Sequence, residues 1–159
     1  CFIFYSSRIG RIKQRKDMLS ELYQFSKSPS RNHIAFVTGD AEGIRFVDLG
    51  YELSTKIEDI LNDRRLSMKA QDYLKDIVSS NIHHDNEFGE YIAIKNIGIL
   101  FEPDLNLSVE ALFNSWSQNT ILIIEMENGK VENNKFYLVD GCPIQNSIDL
   151  NTFNYIIIQ

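Results

Sequence analysis

The sequence is poor in cysteine and in long apolar runs, and both shortages exclude classes of protein. Only Cys1 and Cys142 occur among 159 residues, which excludes a disulfide framework and favours a reducing, cytoplasmic setting. No apolar run approaches the roughly 18 residues that a transmembrane helix needs, so we expect no part of the chain to span a membrane. The chain begins with Cys1 rather than Met, which leaves open a natural N-terminus upstream.

What the sequence has in quantity points to one ordinary domain. Hydrophobic residues make up 43% and charged residues 24%, with ten Phe and seven Tyr, and this composition is not that of a disordered chain. A chain of this length can bury a substantial core.

Charge is distributed unevenly along the chain. Residues 1–31 hold seven Lys or Arg against Asp17 and Glu21, a net charge of +5. Because the whole chain has a net charge of −6, the remaining residues have a net charge of −11. Such a basic arm could be a solvated helix face, or bind nucleic acid or an acidic protein surface. The acidic remainder would repel phosphate, which weakens the nucleic-acid interpretation. The contact residues that we predict for a partner or a nucleic acid are Arg8, Arg11, Lys13, Arg15 and Lys16.

Hydrophobic periodicity predicts alternating helices and strands. Helical spacing is found over 12–27, 51–65, 68–79 and 107–116, and strand-like runs over 33–37, 44–49, 91–95, 120–125, 135–139 and 153–158. The polar stretch 81–90 is predicted to be a loop. The sequence therefore predicts an α/β fold, a mostly parallel five- to six-stranded sheet flanked by helices. We divide it into a basic N-terminal arm and helix (1–31) and a single α/β domain (32–159).

The stretch "FVTGDAEG" (36–43) begins as a phosphate-binding loop would, with an apolar strand running into glycine. A loop of the Walker type also needs a Lys, a Ser or Thr for the metal, and a following helix. Gly39 and Gly43 are present, but Asp40 would repel a phosphate and the next strand follows at once. We therefore interpret this stretch as a hairpin or tight turn between two strands.

The acidic strand end that would hold a magnesium-bound water is also missing. The run 92–96 ends in Lys95 and Asn96, and a lysine cannot ligate magnesium. Both halves of a nucleotide site are thus absent from the sequence.

Two further patterns suggest chemistry only weakly. His83, His84, Asp85 and Glu87 could include metal ligands, but no third ligand stands at a supporting spacing, so a surface loop is favoured. Cys142 could be a nucleophile, but without a positioned histidine a structural role is favoured. We predict no catalytic residue, metal or cofactor, and a small enzyme using either feature is kept only as a third hypothesis.

The stretch "NIGILFEPDLNLSVEALFNSWSQNTILIIEMEN" (96–128) resembles BrxF, the small P-loop-type component of bacterial BREX phage-exclusion systems. The matching positions outside and inside this stretch are Glu52, Leu53, Ser54, Asn96, Leu100, Phe101, Glu102, Pro103, Leu105, Asn119 and Thr120. The similarity covers roughly residues 33–158. The stretch "NNKFYLVDG" also resembles another small component of these systems, BrxB.

The resemblance implies a P-loop-NTPase-like fold whose nucleotide site has degenerated. The family's phosphate loop would lie at Gly39, Asp40 and Gly43, and its Walker-type Asp at Lys95, followed by Asn96. We therefore expect a pseudo-NTPase: a non-catalytic structural or regulatory component of a BREX-type defence complex that binds other proteins. The alternative is a nucleic-acid-binding module that uses the basic arm. A homo-oligomer is left open.

Overall fold

The computed structural model describes residues 18–38, 43–126, 129–138 and 147–158. A helix, α1, includes residues 18–26. The other helices are α2 (Leu49–Ile57), α3 (Leu66–Ser80) and α4 (Val109–Trp116), with short 3-10 helices at Ile97–Phe101 and Pro103–Leu105. The strands are β1 (Ile34–Val37), β2 (Phe46–Asp48), β3 (His83–Asp85), β4 (Gly89–Lys95), β5 (Ile121–Glu125), β6 (Gly129–Glu132), β7 (Lys135–Leu138), β8 (Ser147–Asp149) and β9 (Tyr155–Ile158).

The main sheet has six strands, and five of them run parallel in the order β2-β4-β5-β1-β9. Short β3 pairs antiparallel with the beginning of β4. The central strands β1, β4 and β5 each contain four consecutive buried apolar residues (34–37, 91–94 and 121–124), as is usual for parallel strands covered on both faces. The predicted α/β fold with a mostly parallel sheet flanked by helices is confirmed.

Alternate residues of these strands build two separate cores. On one face, Phe36, Ile94 and Ile124 pack with α2, α3 and α4. On the other face, Val37, Ala93 and Ile123 pack with α1, which contributes Met18 and Leu22. In the described structure α1 and the helices α2–α4 therefore lie on opposite sides of the sheet.

A second, antiparallel sheet with the order β6-β7-β8 packs on the first face. A two-residue turn joins β6 to β7, and Asn133 and Asn134 both have positive φ there, as a hairpin turn of this length requires. Phe136 attaches this sheet to the main one, because its ring stacks on Phe36 at a centroid distance of 5.3 Å.

The second sheet corrects the prediction that strand 135–139 belongs to the single main sheet. The predicted loop 81–90 is also wrong in part, since His83–Asp85 is a strand. The predicted helix 51–65 begins at Leu49 and ends at Ile57, so Leu61 leaves the apolar stripe and becomes exposed. In α3 and α4, by contrast, most of the apolar residues at helical spacing are buried, and Tyr73 and Leu112 are partly buried. The buried ones are Ala70, Leu74, Ile77, Val109, Phe113 and Trp116.

The hairpin predicted at 36–43 is wrong. β1 and β2 are parallel and are separated in the sheet by β4 and β5. Eight residues (38–45) connect them, fewer than the dozen or so of a usual crossover. The sequence pattern could not show this, because two consecutive strands look the same whether or not they pair.

In the described ranges, no helix combines the length and the apolar composition that crossing a bilayer requires.

Candidate functional site at the carboxyl edge of the sheet

The parallel strands β1, β2, β4 and β5 all end at one edge of the main sheet. Ligands of open α/β sheets bind outside the carboxyl ends of such strands, so this edge is the first place to look for chemistry. The register places Asp48 opposite Lys95 and Val37 opposite Glu125. The polar side chains that end β2 and β4 are therefore neighbours.

Asp48 caps the N-terminus of α2 and contacts the end of β4. Its Oδ1 accepts a hydrogen bond from the backbone N–H of Tyr51 at 2.9 Å and another from Nδ2 of Asn96 at 3.0 Å. The first bond is a helix N-cap, which satisfies one of the free N–H groups of the first turn. The second ties α2 to the end of β4.

The same contacts keep Asp48 ionised. Partial burial acts to raise the pKa of Asp48, but the hydrogen bonds from Tyr51 and Asn96, together with the charge of Lys95, lower it below its usual value of 3.8. The carboxylate is thus stabilised by groups of the protein itself.

Asn96 packs against the first turn of α2 at very short range. Its φ of 56° lies in the left-handed region, which asparagine tolerates better than most residues do. A Cβ built on Gly50 would lie 2.5 Å from Nδ2 and 2.8 Å from the backbone oxygen of Asn96. Position 50 therefore requires glycine because the end of β4 occupies the space of a side chain.

Asp48, Gly50 and Asn96 form what we call the locked corner. Lys95 stands beside it, at the strand end where the resemblance places a metal-holding carboxylate. A lysine brings a positive charge and no oxygen ligand, so it cannot hold a magnesium ion. The arrangement caps a helix and joins the ends of two strands.

Of the three positions where the resemblance places the phosphate loop, only Gly43 lies in the described structure. Gly43 is exposed, has a φ of 85°, and precedes β2. The backbone N–H of Arg45 donates to the hydroxyl of Tyr91 at 3.2 Å, at the amino end of β4. Gly43 thus lies on the amino side of β2, whereas Lys95 ends β4 at the carboxyl edge. Gly39, Asp40, the five basic arm residues and Cys142 lie outside the described residues.

The histidine pair lies in β3, where successive side chains point to opposite sides. His83 is half-buried near Tyr91, and His84 is exposed. Within the ranges that the structure covers, no group of three or more His, Cys, Asp or Glu side chains is placed to hold a metal ion.

A groove beside α2 was not predicted from the sequence. It has a volume of about 750 Å³ and lies between α2 and the 3-10 segments. Ile57, Leu66 and Leu105 are buried residues along it, while Tyr51 and Leu61 are 65% and 58% exposed. Its charged lining residues are Glu58, Glu102 and Asp104.

The groove escaped sequence reasoning because two of its features depend on where α2 ends. Leu61 falls within the predicted helix 51–65 and is exposed because α2 ends at Ile57. Glu102 and Asp104 lie in a stretch for which the sequence predicts neither helix nor strand.

Comparison of the chain with protein-family models, with curated proteins and with solved structures found no match.

Proposed function

We propose that this protein is a non-catalytic structural or regulatory component of a bacterial BREX-type phage-defence complex, acting in the cytoplasm by binding other proteins. The observation that carries the proposal is the locked corner. At the strand end where the resemblance expects a carboxylate to hold magnesium, β4 ends in Lys95, and the carboxylate of Asp48 beside it is engaged by Tyr51 and Asn96. Glu125 ends β5, the strand next to β1, and the resemblance gives that position no metal-holding role. The hydrogen bonds of the locked corner stabilise the junction between α2 and β4.

We further propose that the sheet is a degenerate form of the P-loop NTPase fold. The parallel arrangement supports this, as does the position of β1 between β5 and β9 in the sheet interior, where a phosphate loop would follow it. The eight-residue connection after β1 supports the loss of the site. It is too short for a crossover helix whose N-terminus could bind the phosphate.

The basic arm is the proposed contact with a larger partner. Its five cations (Arg8, Arg11, Lys13, Arg15 and Lys16) suit an acidic protein surface. The family resemblance makes a DNA methyltransferase, a large ATPase or a phosphatase-like protein of the same system the plausible partners.

Isothermal titration calorimetry with ATP and magnesium tests the absence of a nucleotide site. We expect no binding heat under conditions where a nucleotide-binding control protein titrates normally. Binding with a micromolar dissociation constant would overturn the pseudo-NTPase proposal.

Affinity purification from the native host tests the arm. Changing the five arm cations to Gln should remove the partner, whereas changing five cations of the body should not. The matched control residues are Lys56, Arg64, Arg65, Lys75 and Lys130. Equal loss in both variants would contradict a specific role of the arm.

A further inference from the structure

The groove beside α2 has the make-up of a binding surface for an apolar and basic segment. Tyr51 and Leu61 are two of the six large hydrophobic side chains that are exposed in the described structure, and both line this groove. Buried Ile57, Leu66 and Leu105 continue the apolar surface inward. An exposed aromatic and an exposed aliphatic side chain beside one groove can anchor a bound chain.

The charge of the groove has one sign only. Glu58, Glu102 and Asp104 line it, and none of its lining residues is Lys, Arg or His. Among the described residues, none of these three carboxylates has a side-chain hydrogen bond or ion pair. Bringing cations to them would gain attraction without breaking an existing pair.

The chain itself contains a segment of the opposite chemistry. Residues 1–16 carry five Lys or Arg and no Asp or Glu, and apolar side chains are interspersed among them. The apolar residues are Phe2, Ile3, Phe4, Tyr5, Ile9 and Ile12. This segment and the groove complement each other in both charge and hydrophobicity.

We propose that the groove binds the basic N-terminal segment of a second copy of this chain. Within one chain, Met18 and Leu22 hold α1 on the sheet face opposite to the groove. To fill the groove of its own chain, the segment would have to pass around the sheet, and Lys13, Arg15 and Lys16, within five residues of Met18, have a reach of only about 17 Å for that path. Arg8 and the residues before it have a longer reach, so the restriction applies to the cations nearest to α1. A second copy meets no such restriction.

The inference goes beyond the proposed function, because it gives the same basic arm a second copy of this chain as a partner in addition to the larger protein. An arm–groove contact allows a dimer in which two chains exchange arms about a two-fold axis, and it also allows a head-to-tail ring or an open chain.

Sedimentation velocity of the full chain tests the proposal by charge exchange. At about 100 µM protein and about 0.05 M NaCl we expect species of at least twice the mass of the chain, and dissociation at about 0.5 M NaCl, where screening is strong. Reversal of the groove (E58K/E102K/D104K) or of the arm (R8E/R11E/K13E) should each give monomers.

Combining the two reversals should restore assembly, both in one chain and on mixing the two single-surface variants, because each arm then meets a groove of opposite charge. Reversing three exposed carboxylates elsewhere (D72K/D76K/E87K) is the matched control and should leave assembly unchanged. Replacing the apolar rim (Y51S/L61S), which keeps every charge, should weaken assembly at least tenfold. Circular dichroism verifies that each variant is folded.

A monomeric wild type at low salt overturns the proposal, and would also be the result if the arm bound its own chain. Assembly that the control reversal abolishes as well as the groove reversal, or that charge exchange does not restore, overturns it too. The calorimetric test of ATP binding is independent of these outcomes, so failure of the pseudo-NTPase proposal and failure of this one are distinguishable.

Discussion

Asp48 caps α2, accepts a hydrogen bond from Asn96 and lies opposite Lys95. Comparing its substitution by Ala with that by Asn therefore distinguishes the contribution of the helix cap from that of the charge. D48A removes the cap and should lower the free energy of unfolding by about 1 kcal/mol, within the 0.5–2 kcal/mol range of lost N-caps. D48N should cost less, since asparagine also caps helices. Urea denaturation at pH 7 measures both, and an equal loss in the two variants would show that the charge, not the cap, is what matters.

The charge of Asp48 should appear in the pH dependence of stability. The folded-state pKa lies below the usual 3.8, so the ionised group contributes stability above that value, and the contribution is lost as the pH falls through the folded pKa. The difference in unfolding free energy between wild type and D48N should be constant from about pH 7 to about pH 5 and shrink below about pH 4. A difference that grows on acidification would contradict a lowered pKa.

Gly50 and Gly98 offer a matched pair of substitutions near the same strand end. G50A places a Cβ 2.5–2.8 Å from Asn96, including its backbone oxygen, so the locked corner must shift at a cost of about 1–3 kcal/mol. A Cβ at Gly98 meets nothing within 4 Å, and G98A should change stability by about 0.5 kcal/mol or less. Comparable losses in the two variants, measured by chemical denaturation, would mean that close packing at position 50 is not the cause.

At the scale of elements, Phe136 carries the attachment of the second sheet. It is fully buried and stacks on Phe36, and its ring also lies 6.4 Å from that of Phe101. F136A should cost about 3–5 kcal/mol, as for other buried aromatic residues. Hydrogen exchange should show faster exchange in β6, β7 and β8 before the main sheet opens.

Y137A is the control for this prediction. Tyr137 is the next residue in β7, points to the other side of the strand and is only half-buried. It should cost clearly less than F136A. If exchange in the main sheet rose to the same extent as in the second sheet, the two would be one cooperative unit, and the prediction would fail.

Helices and strands that a short, local hydrophobic pattern marks could be predicted from the sequence. The apolar runs of β4 and β5 are buried on both faces, and such runs are typical of central parallel strands. The hairpin of β6 and β7 was missed because its turn is Asn133-Asn134 rather than the usual Asn-Gly. β3 has the sequence His-His-Asp, which carries no strand pattern at all.

The site could be predicted only where it depended on residue type. Lys95 at the end of a strand is visible in the sequence. The locked corner is not, because Asp48 and Asn96 are 48 residues apart and nothing in the sequence pairs them. The groove depends on the end of α2 at Ile57, and helix ends are set by packing as much as by local sequence.

At the scale of the whole molecule, the two-sided core bears on the division that we draw between residues 1–31 and 32–159. Leu22 of α1 is fully buried against the sheet. L22A should therefore lower the stability of the entire domain by about 2–4 kcal/mol, in one cooperative transition. Exposed Tyr23 is the matched control, and Y23A should change stability by about 0.5 kcal/mol.

Urea unfolding followed by both far-UV circular dichroism and Trp116 fluorescence measures this. Coincident curves that shift together in L22A would place α1 within the folding unit. A separate, early transition confined to the circular dichroism signal would instead make α1 an appendage of a domain that begins after it.

The eight-residue link between β1 and β2 limits what point substitution can achieve in this scaffold. β1 and β2 have two other strands between them in the sheet, and eight residues leave no length to spare for a helix. Placing a lysine and a threonine in "TGDAEG" would therefore not create a phosphate site, because no chain is left to form the helix that should follow. A nucleotide site could be engineered at this position only by inserting residues, and a series of single substitutions would not reach it.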